Sequence, residues 1–403
     1  MRILITNSIL GTDQHFITDF DTGSCSWSNH IPDDAWILGK PGRTRSIEAL
    51  LDVLGEDPIE IFPKEHKNAF SILCPDGLKS NIPWRWVLGK YEHQEMIKSA
   101  LERSRLNVCA LEESNYKQTY TKIRKFLLGL KQPIIDVAKI NKYVHLNDKG
   151  QTVEASLKSF MPINGYAPKI VYNHAATATG RLTVTSGPRI LTLPARYRDI
   201  ISSDKLCQIV QIDLVSAEPR TALYAAGKDP AVDIYSDIAQ SLELDIPRES
   251  VKLAILSALY GASSSRLSSI LGSKFRAKNI IEKLRVHFGV RRIEAQLHTE
   301  MKEKGYITNL FGRRLKTRRD EIQKAYSHFM QSTTSDAAIC MFSDICEVLS
   351  SHDEQFKPLY VIHDALVCQI SSKRRPELEK LSKRILLGGV GFYETKMTSV
   401  NDN

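Results

Sequence analysis

The sequence predicts a mixed α+β fold, and three stretches carry that reading. Gln208-Ile209-Val210-Gln211-Ile212-Asp213-Leu214 alternates polar with β-branched or apolar side chains, the period of a strand. Leu359 to Ile370 sets two apolar, β-rich runs on either side of His363-Asp364, the pattern of a tight hairpin with a polar tip. Pro247 to Gly261 is helical in composition, with Pro247 tolerated in the first turn and Gly261 placed to end the helix in the left-handed conformation.

Composition bounds the rest. A chain of 403 residues with 42% hydrophobic content buries a large core and has room for two or three domains. Lys and Arg outnumber Asp and Glu by 55 to 46, a net charge of +9, which fits a polyanionic partner or simply a basic surface. The seven cysteines are scattered, with no CxxC pair and no companion His cluster, so neither a zinc site nor a disulfide framework is expected and a reducing interior fits best. No run approaches the ~18 apolar residues of a membrane span, and Met1 to Asn7 is interrupted too early by polar residues for a signal peptide.

Residues 1–95 read as a small α/β unit, with strands at Ile3–Ile5, Trp36–Leu38, Ile59–Phe62 and Phe70–Cys74 and a helix near Ile47–Leu54. Within it, Thr18-Asp19-Phe20-Asp21-Thr22-Gly23 has a trace of the acidic opening of a proofreading exonuclease, without later acidic partners. From Glu92 to Val144 the pattern is helical and mixed in charge, as expected of a duplex clamp or of an ordinary solvated surface. Asn147-Asp148-Lys149-Gly150 is a turn signal leading into the next domain.

Residues 171–200 combine small hydroxyl side chains, a glycine and the forks of Arg181, Arg189, Arg196 and Arg198, a phosphate-reading surface or an exposed loop. Asp213 follows, a carboxylate at the end of a strand before a helical stretch, suited to bind a metal or to cap the helix. In the predicted helix 247–261, Arg248, Lys252, Leu256 and Tyr260 recur every four residues and form one stripe. Its two cations lie toward the N-terminus, where backbone amides also favour anions, so the stripe fits a triphosphate at one end and a sugar and base at the other. Residues 301–324 hold eight Lys or Arg against three acids, a backbone-binding cluster or a solvated basic loop. A helix is expected from Ile322 through Leu349, carrying Gln331. An aspartate at a hydrophobic hairpin, as Asp364 is, is costly unless charge compensates it.

In this order the stretches resemble the palm and fingers of family A DNA polymerases over roughly residues 155–390. Thr179-Gly180-Arg181-Leu182 is similar to the family's TGRL element, Asp213 through Arg220 to its motif A, Arg248 through Gly261 to its fingers helix (R-x3-K-x7-YG), and His363-Asp364 to its motif C. Gly305-Tyr306 with Gly312-Arg313-Arg314 resembles the GY…GRR element, and Gln331 the minor-groove glutamine. The resemblance implies a right-hand polymerase with an antiparallel palm sheet, helical fingers and a reduced helical thumb. Its divisions are a thumb and linker at 96–165, palm at 166–228 and 296–403, fingers at 229–295, and an N-terminal unit of unassigned role.

It further implies that Asp213 and Asp364, assisted by the Leu214 carbonyl, hold two Mg²⁺ ions, for which Mn²⁺ substitutes. Arg248 and Lys252 are implied to grip the triphosphate, with Lys252 as a proton donor to pyrophosphate. Leu256, Tyr260 and Tyr235 fall at nucleotide-binding positions, and Glu218 at the position that excludes a ribose 2′-hydroxyl. Thr179, Arg181, Gln331, His363, Arg313 and Arg314 fall on the primer–template. The implied partners are primer–template DNA, dNTPs and unidentified replication accessory proteins, in the cytoplasm of a bacterial host if the source is a phage or mobile replicon, with no membrane. The alternatives are a single-subunit RNA polymerase, against which Glu218 speaks, and an inactive nucleic-acid-binding scaffold. Departures from the family pattern are Ala365 in place of an acid, Leu256 in place of an aromatic residue, Tyr235 where many members have His, Ser327 for Asn, and Leu191-Thr192 for Gln-Asn.

Overall fold

The computed structural model describes residues 2–10, 12–19, 21–32, 35–38, 72, 88–99, 102, 116–145, 151–260, 265–315, 324–387 and 391–400. They belong to two compact units, one of residues 1–118 with 312–314 and one of residues 119–311 with 315–403.

The first unit contains a four-stranded sheet in the order Ser24–Ser28, His15–Asp19, Arg2–Ile5, Trp36–Leu38. The first three strands are antiparallel and Trp36–Leu38 runs parallel to Arg2–Ile5. Leu4, Ile17, Ala35 and Ile37 form its small core. The hairpin of His15–Asp19 with Ser24–Ser28 was not legible, because Ser24-Cys25-Ser26-Trp27-Ser28 is polar and exposed and is held by pairing rather than by an apolar face. Asp19, the first acid of the exonuclease-like fragment, pairs with Arg2 at 3.4 Å and accepts the Asp21 N–H at 3.0 Å, so it closes a turn. The helix and strands expected at 47–54, 59–62 and 70–74, and the turn at 147–150, lie outside the described residues except for Ile72.

The second unit is built on a five-stranded antiparallel sheet in the order Lys357–Ile362, Ala365–Ser371, Cys207–Val215, Gly391–Ser399, Arg384–Leu387. The central strand is the one that carries Asp213. Val210, Ile212 and Leu214 on one of its faces are buried, while Gln211, Asp213 and Val215 on the other are only partly so, as the two-residue period of a strand requires. Helix Ala325–His352 shares the buried core with this sheet through Ala338, Met341, Phe342 and Ile345. It is apolar around most of its circumference and is buried accordingly.

One detail of the expected elements is corrected. Asp213 does not end its strand, because pairing with strand 391–399 continues through Leu214 and Val215. The chain turns instead at Ser216, left-handed at φ 54°, into helix Ala217–Ala225. The hairpin forms as expected, with His363 at φ 54° and Asp364 between strands 357–362 and 365–371.

A second core gathers helices Ile234–Ser241, Arg248–Tyr260, Lys274–His287 and Val290–Lys304 around Val251, Ile255, Leu284, Phe288 and Leu297. Helices Lys117–Gly129, Val137–His145 and Gln151–Lys158 contribute Ile123, Ile140 and Leu157 to the first core.

Candidate active site

The sheet register brings the two aspartates together. Asp213 lies directly between Ala365 on one neighbouring strand and Lys396 on the other, and Asp364 is the residue next to Ala365. The Leu214 N–H donates to the Asp364 carbonyl at 3.1 Å, so the two acids hang on backbones that are hydrogen-bonded to each other. Burial raises the Asp213 carboxyl above its ordinary 3.8; the Asp364 charge raises it too, while the Gln211 hydrogen bond and the charges of Arg198 and Lys396 pull it back. Two like charges that repel in a half-dry setting, both with oxygen donors, suit a hard cation. Among the described residues no group of three or more His, Cys, Asp or Glu gathers as a metal site, and Ala365 offers no third carboxylate beside Asp213, so the pair is the whole acidic set there.

Arg181, Glu218, Gln331, His363 and Asp364 line one cleft, with Leu182, Leu191, Thr334 and Ser335 among the other walls. Five residues expected at the site from widely separated stretches thus meet in one place. Arg181 lies 3.6 Å from the Glu218 carboxylate. The Tyr260 hydroxyl is pushed upward in pKa, first by burial and then by the Glu218 charge, with Arg181 opposing, so Tyr260 belongs to the same group. Thr179 is buried, and Gly180 at φ 72° permits a tight turn whose carbonyl accepts the Ser335 hydroxyl at 3.0 Å. Ser335 was missed by the sequence reading, although it stands four residues after Gln331 and so on the same helix face.

On helix Arg248–Tyr260, Arg248 and Lys252 are exposed and Leu256 and Tyr260 half-buried, while Val251, Ala254, Ile255, Ala258 and Leu259 face the core. The cationic half of the stripe is therefore left out of the packing, while Tyr260 at its other end packs against the core. The Arg248 guanidinium sits 5.0 Å from the centre of the Tyr235 ring and 3.5 Å from Asp233. Tyr235 is buried beneath it. Asp233 also caps helix 234–241, accepting the Tyr235 and Ser236 amides, and the sequence signal for it was an acid just before a helix.

Arg313 and Arg314 fall in the other unit. Arg313 is 1% exposed, with Nη1 donating to the Tyr116 hydroxyl at 3.2 Å and the guanidinium 5.7 Å from that ring. The expectation of a solvent-facing contact is corrected for Arg313: its aromatic partner takes the charge inside. Arg314 is half-buried, and Gly261 and the basic run 316–319 lie outside the described residues. No helix among the described residues is long and apolar enough to cross a membrane.

The chain is similar to the DNA polymerase of Mycobacterium phage D29, 25% identical over 223 residues that cover 50% of this chain and 35% of the relative. It is similar to DNA polymerase I of Bacillus caldotenax, 25% identical over 248 residues that cover 53% of this chain and 28% of the relative. The chain thus spans about a third of the length of these curated relatives. Among solved structures, the POL domain of Pol1 from M. smegmatis, in complex with DNA primer-template and dNTP, superposes with a TM-score of 0.58 over 96% of this chain and 93% of that one, at 13% identity, which shows a shared α+β polymerase fold. The profile of DNA polymerase family A matches residues 94–390, most of the chain and all of the cleft, and on that ground this chain belongs to DNA polymerase family A.

Proposed function

We propose that the chain is a DNA-directed DNA polymerase that adds deoxynucleotides to a primer 3′ end. The observation that carries this reading is the meeting of Asp213 and Asp364 on hydrogen-bonded backbone, Asp364 in the wall of a cleft with Arg181, Glu218, Gln331 and His363. In the reaction the primer 3′-oxygen bonds to the α-phosphorus of the dNTP, the bond to pyrophosphate breaks, and the 3′-hydroxyl proton is released. Family A polymerases are metal-dependent, and the two carboxylates, with the Leu214 carbonyl, fit two Mg²⁺ or Mn²⁺ ions. When bound, such ions make the primer hydroxyl a better nucleophile and offset charge on the leaving pyrophosphate.

The protein's own groups do the rest. Arg248 and Lys252 stand on the exposed side of their helix, where they neutralise the triphosphate, and Lys252 donates a proton to pyrophosphate. Tyr235 supports Arg248 from beneath, and Leu256 and Tyr260 pack against the sugar and base. Glu218, held between Arg181 and Tyr260, excludes a ribose 2′-hydroxyl. Arg181, Thr179 and Gln331 attend the primer–template minor groove, His363 the primer end, and Arg314 the duplex backbone. The palm then comprises 166–228 and 296–403, the fingers 229–295 and a reduced thumb 96–165. Replication of a phage or mobile element in a bacterial cytoplasm is the setting the phage relative supports.

Primer extension with dNTPs and with rNTPs, on DNA and on RNA templates, tests the reading. Template-dependent extension with dNTPs, lost in Asp364→Asn, is the expected result. Extension by rNTPs alone, or full extension by the Asn variant, overturns it.

A further inference from the structure

Alternation along the central strand sets Gln211 and Asp213 side by side on one face, two residues apart. The Gln211 side-chain amide donates from Nε2 to Asp213 Oδ1 at 2.7 Å. An amide by itself has no reason to present its NH₂ rather than its oxygen. Here both neighbours agree on the choice: the ionised Asp213 carboxylate only accepts, and Arg198 Nη1 donates to Gln211 Oε1 at 3.1 Å. A guanidinium carries donors only, so it holds the amide oxygen toward itself and turns the NH₂ toward the carboxylate. Arg198 Nε is buried without a hydrogen-bond partner among the described residues, so the bond to Gln211 is what anchors the guanidinium. Arg198 is itself fixed in chain direction by the 3₁₀ segment Ala195–Ile200, after which Ile201 pairs with Ile135.

We propose that Arg198 and Gln211 are positioning residues that orient Asp213: the relay occupies Oδ1 and leaves Oδ2 as the oxygen presented to a catalytic cation. This deepens the polymerase reading and rests on it. Its importance follows from the loss of an acid at position 365. With two carboxylates in place of a fuller set, the ion site depends more on how each is aimed, and hydrogen-bonding partners behind metal ligands ordinarily set affinity. Lys396, directly across from Asp213 on the other neighbouring strand, adds a cation on the same face without entering the relay.

The test uses the full chain with primer–template DNA and a non-reactive dNTP analogue, reading equilibrium Mn²⁺ binding from the free-ion electron paramagnetic resonance signal. Single-turnover extension with the natural dNTP runs beside it. Gln211→Met keeps the side-chain volume and removes both bonds; it is expected to weaken Mn²⁺ binding by about 10-fold. The maximal extension rate should fall with it, while the dNTP concentration dependence changes by less than about 2-fold and the melting curve is unaltered. Arg198→Met alone is expected to show the same pattern more weakly. Added to Gln211→Met it should cost less than about a further 2-fold, because it acts through the amide.

Mn²⁺ titrations of Gln211→Met that superimpose on wild type overturn the proposal, and effects of the two substitutions that simply multiply overturn the link to Arg198. If Gln211→Met lowers the melting curve, Gln211→Ala and Arg198→Met alone are read in its place, under the same criteria. Asp213→Asn separates this proposal from the reading beneath it. A wild type that neither extends primers nor binds Mn²⁺ more tightly than Asp213→Asn condemns the polymerase assignment, whereas normal wild-type behaviour with an unaltered Gln211→Met condemns only the relay.

Discussion

Asp213 and Asp364 are placed by a sheet whose register fixes them residue by residue, whereas Arg248 and Lys252 stand on the exposed side of a helix that is packed only along its opposite side. In the sheet, a slip of one residue would turn Asp213 to the buried face, so the position is all or nothing. On the helix, the cations are long side chains with reach, and a small displacement of the helix changes their distance to a ligand gradually. On the proposed reading, chemistry that needs oxygens aimed at an ion falls to the rigid element, and charge neutralisation, which tolerates slack, to the adjustable one.

The contrast predicts unequal losses. Asp364→Asn should lower the single-turnover rate of primer extension by about 10³-fold or more, since removing one member of a unit that acts together costs nearly everything. Duplex affinity, measured by fluorescence anisotropy, should stay within about 2-fold of wild type. Substantial residual extension would break the contrast at its strong end. Lys252→Ala should cost about 10²-fold, the scale of one lost electrostatic donor to a developing charge. The deficit should lie mainly in the rate at saturating dNTP, and Lys252→Arg should recover part of it, as slack on the helix allows. If Arg recovers nothing, the cation is as strictly placed as the acids.

Between these extremes lies Glu218, on helix 217–225 just after the central strand and facing Arg181 and Tyr260 from the cleft. Glu218→Ala should reduce the preference for dNTP over rNTP by roughly 10-fold or more, within the range that a pocket contact to one hydroxyl supplies. Competition between the two nucleotides on one template measures it. An unaltered ratio removes Glu218 as the sugar gate and leaves its pair with Arg181 as a structural one.

The same contrast explains what was legible before the structure. The strand and the hairpin were readable because two-residue alternation and a polar tip between apolar runs are local signals, and the helix stripe because its spacing is local too. Convergence of the acids was not a local signal: the family resemblance implied it, and the pairing of Ala365 with Asp213 across the sheet is what produces it. Ser335, Asp233 and the Gln211 relay were missed, since an ordinary polar side chain acquires its role only from what lies opposite it. Arg313 shows the reverse error: within a basic run it read as surface, and a tyrosine nearly 200 positions away takes it into the interior.

The smallest effect concerns stability, and it runs against activity. Burial and the neighbouring Asp364 raise the Asp213 carboxyl above 3.8, so in the ion-free protein the fold favours the protonated form. The contribution of Asp213 to stability is therefore complete below pH 3.8, is lost as pH rises through the raised value, and is absent at neutral pH. Asn cannot ionise. With a chelator present, Asp213→Asn should melt higher than wild type at pH 7, by on the order of a degree or two for a chain of this size, and the gain should shrink as the pH falls toward 3.8. Adding Mg²⁺ should raise the wild-type midpoint and not that of the variant, since the ion relieves the charge that the substitution has already removed. Lys252→Ala, at an exposed position on the helix, should leave the midpoint unaltered under both conditions. A wild type that outmelts Asp213→Asn in chelator would mean that Arg198, Gln211 and Lys396 already compensate the carboxylate pair in full, and that the sheet holds its two acids without strain.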